Sequence, residues 1–192
     1  MSGLRYKALT RAAIASVSAL LMTVAVLSPA NATHTSGWHW AHDGLTNSQI
    51  YFVDHTGASW PVTTVTYKWN EAIGVNSYHE TACPSSTLHC VDVREYTDAT
   101  APSGCAGAYG CTFLSYGTNY HFSSASVYLN NTTVTASSQH RKTTCHELGH
   151  VLGLLHRYTN ASCMTQGAAP PISLYPDQHD FDALEALYNH TN

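Results

Sequence analysis

Apolar and polar positions along the chain fall into short blocks whose period switches between two and about 3.6, and this switching outlines the elements. Ile50–Val53 is a short apolar run that predicts a strand. Residues 61–72 have helical spacing. Pro61 suits a first turn, Ser59 or Trp60 precedes it, and Val65, Trp69 and Ala72 fall on one side. Strands are predicted at Cys90–Tyr96, Thr112–Tyr116 and Ala125–Asn130, separated by turns rich in Gly, Ser and Pro. A helix then starts near Ser137 or Ser138 as N-cap and runs to Leu152. Leu148, Val151, Leu152 and Leu155 lie at i, i+3, i+4 and i+7 and are expected to face the core. A last helix begins near Asp177, after Pro176, with Phe181, Leu184, Leu187 and Tyr188 on its apolar face. No internal repeat stands out.

The first 32 residues belong to a different pattern. Arg5, Lys7 and Arg11 precede an apolar run from Ala12 to Leu27, and Ala30-Asn31-Ala32 is a small-residue cleavage site. The run is shorter than the ~20 residues that span a bilayer, and Ser16, Ser18 and Thr23 dilute it. A secretory signal peptide cut after Ala32 is therefore expected in preference to a membrane anchor. Residues 33–192 remain as one domain, large enough for a core of its own.

Charge and cysteine content narrow the class of partner and compartment. The segment 33–192 keeps five basic residues against all 12 acidic ones, a net charge of about −7. No basic patch exists to grip phosphates, so nucleic acid is not an expected partner. All six cysteines (Cys83, Cys90, Cys105, Cys111, Cys145 and Cys163) lie in this segment. An even number in an exported chain argues for disulfides, with several pairings open. Nearest-neighbour pairing is the expectation: Cys83–Cys90, Cys105–Cys111 and Cys145–Cys163.

The chemistry concentrates in residues 146–156, HELGHVLGLLH. On a helix His146 and His150, four apart, project from one face and can reach one metal ion. His156 would point away if the helix continued. Gly153 can take positive φ, end the helix and turn the chain back, so that His156 closes the site. Three imidazoles leave a fourth position for water, which distinguishes catalytic from structural zinc. Composition alone would yield this pattern on the order of 10⁻⁴ times in a chain of this length. A surface helix that merely carries histidines is the alternative. Glu147 points about 100° from the first imidazole, where it can meet a water beside the metal and act as general base.

The eleven residues match HExxHxxGxxH, and the chain resembles the metzincin clan of zinc metallopeptidases. Met164, eight residues beyond His156, stands where that clan has its Met-turn, an apolar floor under the metal rather than a ligand. Within the clan the resemblance is to matrixin-type proteins. His156 is not the aspartate of the snapalysin group, and Gln166 is not the tyrosine of astacins and serralysins. The resemblance covers mainly residues 140–190. It implies an α+β, zincin-like catalytic domain, with a mixed twisted sheet, an active-site helix and a C-terminal helix. It further implies one catalytic Zn2+ and a protein or peptide substrate bound in extended form along an edge strand, for which Thr112–Tyr116 is the candidate. One wall of the pocket would be Gly167–Tyr175, including Pro170, Pro171, Ile172 and Tyr175. The family's calcium sites find no support, since no acidic loop has a recognisable pattern. No cysteine lies between the leader and Cys83, so latency through a propeptide cysteine is not expected. His121 lies where some matrixins place a structural zinc ligand, but it lacks partners at the family spacing.

His34, His39 and His42 cluster with Trp38 and Trp40 near the start of the mature chain. A partly ordered terminus with adventitious metal affinity is expected, with a second metal site or an aromatic contact surface as alternatives. The reading of the whole is a secreted, monomeric zinc endopeptidase with no membrane partner after signal cleavage. Its rivals are a zincin-fold protein that uses its metal only to bind a partner, and a zinc hydrolase of non-peptide amides.

Overall fold

A computed structural model of the chain describes residues 34–85, 88–167 and 171–190. The 1–32 leader lies outside the described residues. Within them, no helix is long and apolar enough to cross a membrane. The elements run β1 (Ser48–Asp54), α1 (Val62–Trp69), β2 (Val75–Glu80), β3 (His89–Tyr96), β4 (Gly110–Tyr116), β5 (Phe122–Asn130), α2 (Ser137–Val151) and α3 (Gln178–Tyr188), with a short 3₁₀ turn at Asp98–Thr100. The fold is α+β. One five-stranded sheet has the order β2-β1-β3-β5-β4, parallel except for β4, which runs antiparallel to β5 at the sheet edge.

Period-two alternation decides which face is covered. Ile50, Phe52, Val91, Val93, Val127 and Leu129 are fully buried on one face. Residues between them form an outer polar face, where Tyr51 stacks on Tyr78 and Asp92 meets His55 and Arg94. β2 was not predicted. Its sequence, VNSYHE, places only Val75 and Ser77 inward, too little apolar content to register as a strand. It is an edge strand, held by backbone pairing to β1.

α1 begins with Pro61 as its N-cap and ends at Trp69, earlier than the predicted Ala72. Val65, Trp69 and Ala72 are buried, as their spacing required. α2 is capped by Ala136 and not by Ser137 or Ser138; the Gln139 side chain accepts the Ala136 N–H instead. Although its sequence is polar, α2 is buried over most of its length between the sheet and the C-terminal segment. Its polar groups find internal partners: the Thr144 hydroxyl donates to the His140 carbonyl at 2.8 Å, and His140 Nε2 donates to the Val134 carbonyl at 3.0 Å. Leu148, Val151 and Leu152 are completely buried, but Leu155 is 47% exposed. The predicted four-residue stripe fails at its last member because the helix ends before it, so helical spacing no longer governs where Leu155 points. On α3, capped by Asp177, Leu184 and Tyr188 are buried, while Phe181 and Leu187 pack at the rim.

The segment 34–47 is not a loose terminus. Trp40 is 1% exposed, its indole N–H donating to the Val151 carbonyl at 2.9 Å, and His34, His39 and His42 are all buried. Backbone bridges tie Thr35 to Leu154 and His39 to His121. The three histidines do not share one place: His34 meets Asp180 and His179, whereas His39 and His42 lie near His190.

Trp69 joins the helices to the metal motif. It is fully buried, its indole N–H donates to the Cys145 carbonyl at 3.3 Å, and its ring abuts Gly149. Trp69→Ala should cost about 3–5 kcal/mol, read from urea unfolding; a loss under about 1 kcal/mol would mean that this contact does not organise the core.

Candidate metal centre

α2 carries His146 and His150 on one face, and their Nε2 atoms lie 3.1 Å apart. Gly153 has φ +99°, which ends the helix; a Cβ there would also collide with the Trp38 carbonyl and lie 2.8 Å from Leu187 Cδ2. The reversal returns His156 to the other two, with ring centroids 5.0 Å from His146 and 4.9 Å from His150. Each imidazole presents one ring nitrogen to a common point, all within 4.8 Å of one another.

Hydrogen bonding fixes the tautomers of the two helical histidines. His146 Nδ1–H donates to the Cys163 carbonyl at 2.8 Å, and His150 Nδ1–H donates to the Leu154 carbonyl at 2.7 Å. Carbonyls accept only, so the protons sit on Nδ1 and both Nε2 atoms present lone pairs. Two lone pairs facing each other at 3.1 Å cannot hydrogen-bond. They need a cation between them. Nitrogens that share one zinc at 2.0–2.1 Å lie about 3.3 Å apart in tetrahedral geometry, close to the separation found. Burial first, then the neighbouring imidazoles and the Lys142 charge, hold the pKa of His146 well below the ordinary value; burial holds that of His150 at about 4. His156, more open, is lowered chiefly by burial as well. All three rings are neutral near pH 7, as metal binding requires, and the donor set fits Zn2+.

Glu147 sits beside this point, buried, with its pKa raised to about 7 by burial against the lowering effects of Thr112 and Lys142. The Thr112 hydroxyl donates to Glu147 Oε2 at 2.7 Å. Gly110 on β4 makes room for the carboxylate: a Cβ there would lie 2.7 Å from Glu147 Cγ. Gly149, between the two helical histidines, plays the same part beneath them. A side chain at 149 would overlap the Met164 sulfur and lie 2.9 Å from Trp69. Met164 is thereby packed, fully buried, against the bare backbone of the helix.

A cleft of about 500 Å³ opens over the three histidines, lined on one side by Gly110, Cys111 and Thr112 of β4 and on the other by Gln166 and Gly167. Of the expected wall 167–175, residues 168–170 lie outside the described residues. Nearest-neighbour cysteines are joined: Cys83–Cys90, Cys105–Cys111 and Cys145–Cys163. The last of these ties α2, one residue before His146, to the turn that carries Met164.

A model of the matrixin peptidase family matches residues 91–189. The chain belongs to the matrixin family. It is a zinc metallopeptidase of metzincin type. This matrixin is similar in structure to myroilysin, at 13% identity and a TM-score of 0.45 over 83% of this chain and 99% of that one. It is also similar to high choriolytic enzyme 1, a hatching enzyme zinc-protease from the medaka fish Oryzias latipes. That match has 13% identity and a TM-score of 0.44, over 79% and 94% of the respective chains. No curated protein matches the sequence.

Some of the site's supporting groups were not read from the sequence of this matrixin. Lys142 is buried, donates to the Thr165 carbonyl and stands 3.3 Å from His146 Nδ1; desolvation lowers its pKa to about 8. Its place one turn before His146 on the same helix face was the available hint. Asp180 is the other. It is fully buried and accepts from the Ser162 hydroxyl at 2.6 Å, the Asp177 N–H at 2.9 Å, His34 Nε2 at 3.1 Å and Arg157 at 3.3 Å. Ser162 in turn accepts the Met164 N–H, so Asp180 braces the turn beneath the histidines.

Burial pushes the Asp180 carboxyl up, but hydrogen bonds from His34, Ser162 and the Asp177 backbone, with the Arg157 charge, hold its pKa below the usual carboxylate value. A depressed native pKa means that the ionised form favours folding above the ordinary value of about 3.9, and that this contribution is lost as pH falls through the native value. Asp180→Asn should therefore be roughly 3 kcal/mol less stable than wild type at pH 7, with the two converging in unfolding midpoint as acid protonates Asp180 in the folded protein. A pH-independent difference would refute the role of the charge.

Proposed function

We propose that the chain is an exported zinc endopeptidase in which His146, His150 and His156 hold the ion, Glu147 is the general base, and Met164 is the floor of the site. The observation that carries this reading is the pair of facing lone pairs on His146 and His150, with a buried carboxylate beside them. Zinc, when bound, supplies Lewis acidity to the attacking water and to the carbonyl under attack. Glu147 takes the proton from that water and delivers it to the departing amine. Thr112 holds one carboxylate oxygen by its hydroxyl, which fixes the orientation of the other. The Nδ1 bonds to the Cys163 and Leu154 carbonyls keep the two helical imidazoles in the tautomer that can bind metal.

β4 supports a mode of substrate binding. It is an edge strand, and a second cleft, of about 260 Å³, continues along it on the far side of His150 and His156, lined by Leu114 and Tyr116. Pockets on both sides of the histidines along one free edge suit an extended peptide that adds to the sheet. Ile172 near Gly167 favours an apolar side chain just past the scissile bond.

Three disulfides support assembly in an oxidising compartment, and with the basic and apolar leader they support export with residues 33–192 as the mature domain. N-terminal sequencing of protein recovered from the medium should begin at Thr33; a start within the apolar run would overturn the proposed cleavage.

Casein should be digested by the purified protein and spared after chelation. Glu147→Gln should keep stoichiometric zinc while kcat falls by about 10²–10⁴-fold. Nearly full activity in that variant would remove Glu147 as the base. Cleavage of amides but of no peptide would remove the endopeptidase reading.

A further inference from the structure

Outside the cleft, a second set of imidazoles converges where three distant segments meet. His39 comes from the N-terminal segment, His121 from the β4–β5 turn and His190 from the residues after α3. Each offers a ring nitrogen within 4.8 Å of the others. The His39 ring lies 4.8 Å from that of His121 and 4.4 Å from that of His190, nearly perpendicular to both. Both ring nitrogens of His39, and Nε2 of His121, are buried without a hydrogen-bond partner. A neutral imidazole carries one donor and one acceptor, and buried polar groups in folded proteins are almost always paired. His42, whose Nε2 is likewise unpartnered, adds a fourth ring to this corner, 5.4 Å from His190.

The arrangement is built by backbone and not by the reach of long side chains. His39 N–H donates to the Tyr120 carbonyl at 3.1 Å, and Phe122 N–H donates to the His39 carbonyl at 2.8 Å. His39 and His121 are thus locked side by side. His190 N–H closes a tight turn on the Tyr188 carbonyl at 2.9 Å, which brings its ring back over the pair.

We infer that His39, His121 and His190 form a second metal site, which takes a borderline divalent ion such as Zn2+. Three nitrogen donors without a carboxylate suit zinc and its neighbours and not calcium or magnesium. Two of the three residues, His39 and His190, lie outside the stretch 91–189 that matches the matrixin family, and His121 lies within it. The ion ties both ends of the described chain to the β4–β5 turn. It also steadies the catalytic centre: residues 34–38 run from His39 to the zinc motif, where Ser36 N–H donates to the Gly153 carbonyl at 2.8 Å and Leu155 N–H to the His34 carbonyl at 2.6 Å. These bonds bracket the turn that carries His156.

The test is a metal count on the exported chain, in the Glu147→Gln form so that self-digestion cannot trim the ends. After dialysis against micromolar zinc, the parent should hold two zinc ions per chain. His39→Gln/His190→Ala should hold one, and His146→Ala/His150→Ala should also hold one. A parent with a single ion, lost only in the His146/His150 variant, would overturn the second site and leave the catalytic reading intact. A count of two in His39→Gln/His190→Ala would overturn it equally. Should that variant fail to fold, His190→Ala alone suffices, since His190 is exposed at the end of the described chain. Competition with a chelator should show weaker second-site binding by at least the roughly 10–100-fold that loss of an outer-shell partner costs; unchanged affinity refutes the assignment.

Discussion

Two imidazole nitrogens face each other at 3.1 Å, both with free lone pairs, because a carbonyl has claimed the proton at the far side of each ring. The carbonyls come from Cys163, next to Met164, and from Leu154 just past the helix, so both must be in position for the two histidines to take the tautomer that leaves Nε2 bare. The Cys145–Cys163 disulfide, the Ser162–Asp180 bond and the Arg157 N–H on the Met164 carbonyl all converge on those segments. Much of the C-terminal third therefore serves to aim two lone pairs.

Missing side chains are as important to the site as those present. Gly149 lets the Met164 sulfur and the Trp69 ring lie against the helix backbone beneath the histidines, and Gly110 lets the Glu147 carboxylate swing towards β4. In both cases the packing leaves no volume for a methyl group. A buried carboxylate at this density needs a partner, and Thr112 supplies it. The burial of Glu147 and its raised pKa are thus consequences of one close approach between α2 and the edge strand.

The N-terminal segment links the catalytic centre to the corner built on His39, His121 and His190. Its backbone is bonded at one end to the turn of the zinc motif and at the other to the β4–β5 turn. Trp40, buried and bonded to the Val151 carbonyl, anchors the segment just after His39. Order in a chain terminus requires such ties, and here they are backbone pairings that no hydropathy pattern reveals.

The sequence alone determined the metal motif, the end of its helix at Gly153, the two flanking helices and four of the five strands, because these rest on local periodicity and on residue types with few substitutes. It did not reveal β2, whose pairing partner and not its composition makes it a strand, nor did it predict that Leu155 would leave the core once the helix had stopped. The order of segments 34–47, the partners of Asp180 and Lys142 and the meeting of His39 with His190 were decided by tertiary structure only. Those contacts join residues far apart in the chain, and which of them form depends on how the layers pack, a property no short window of sequence contains.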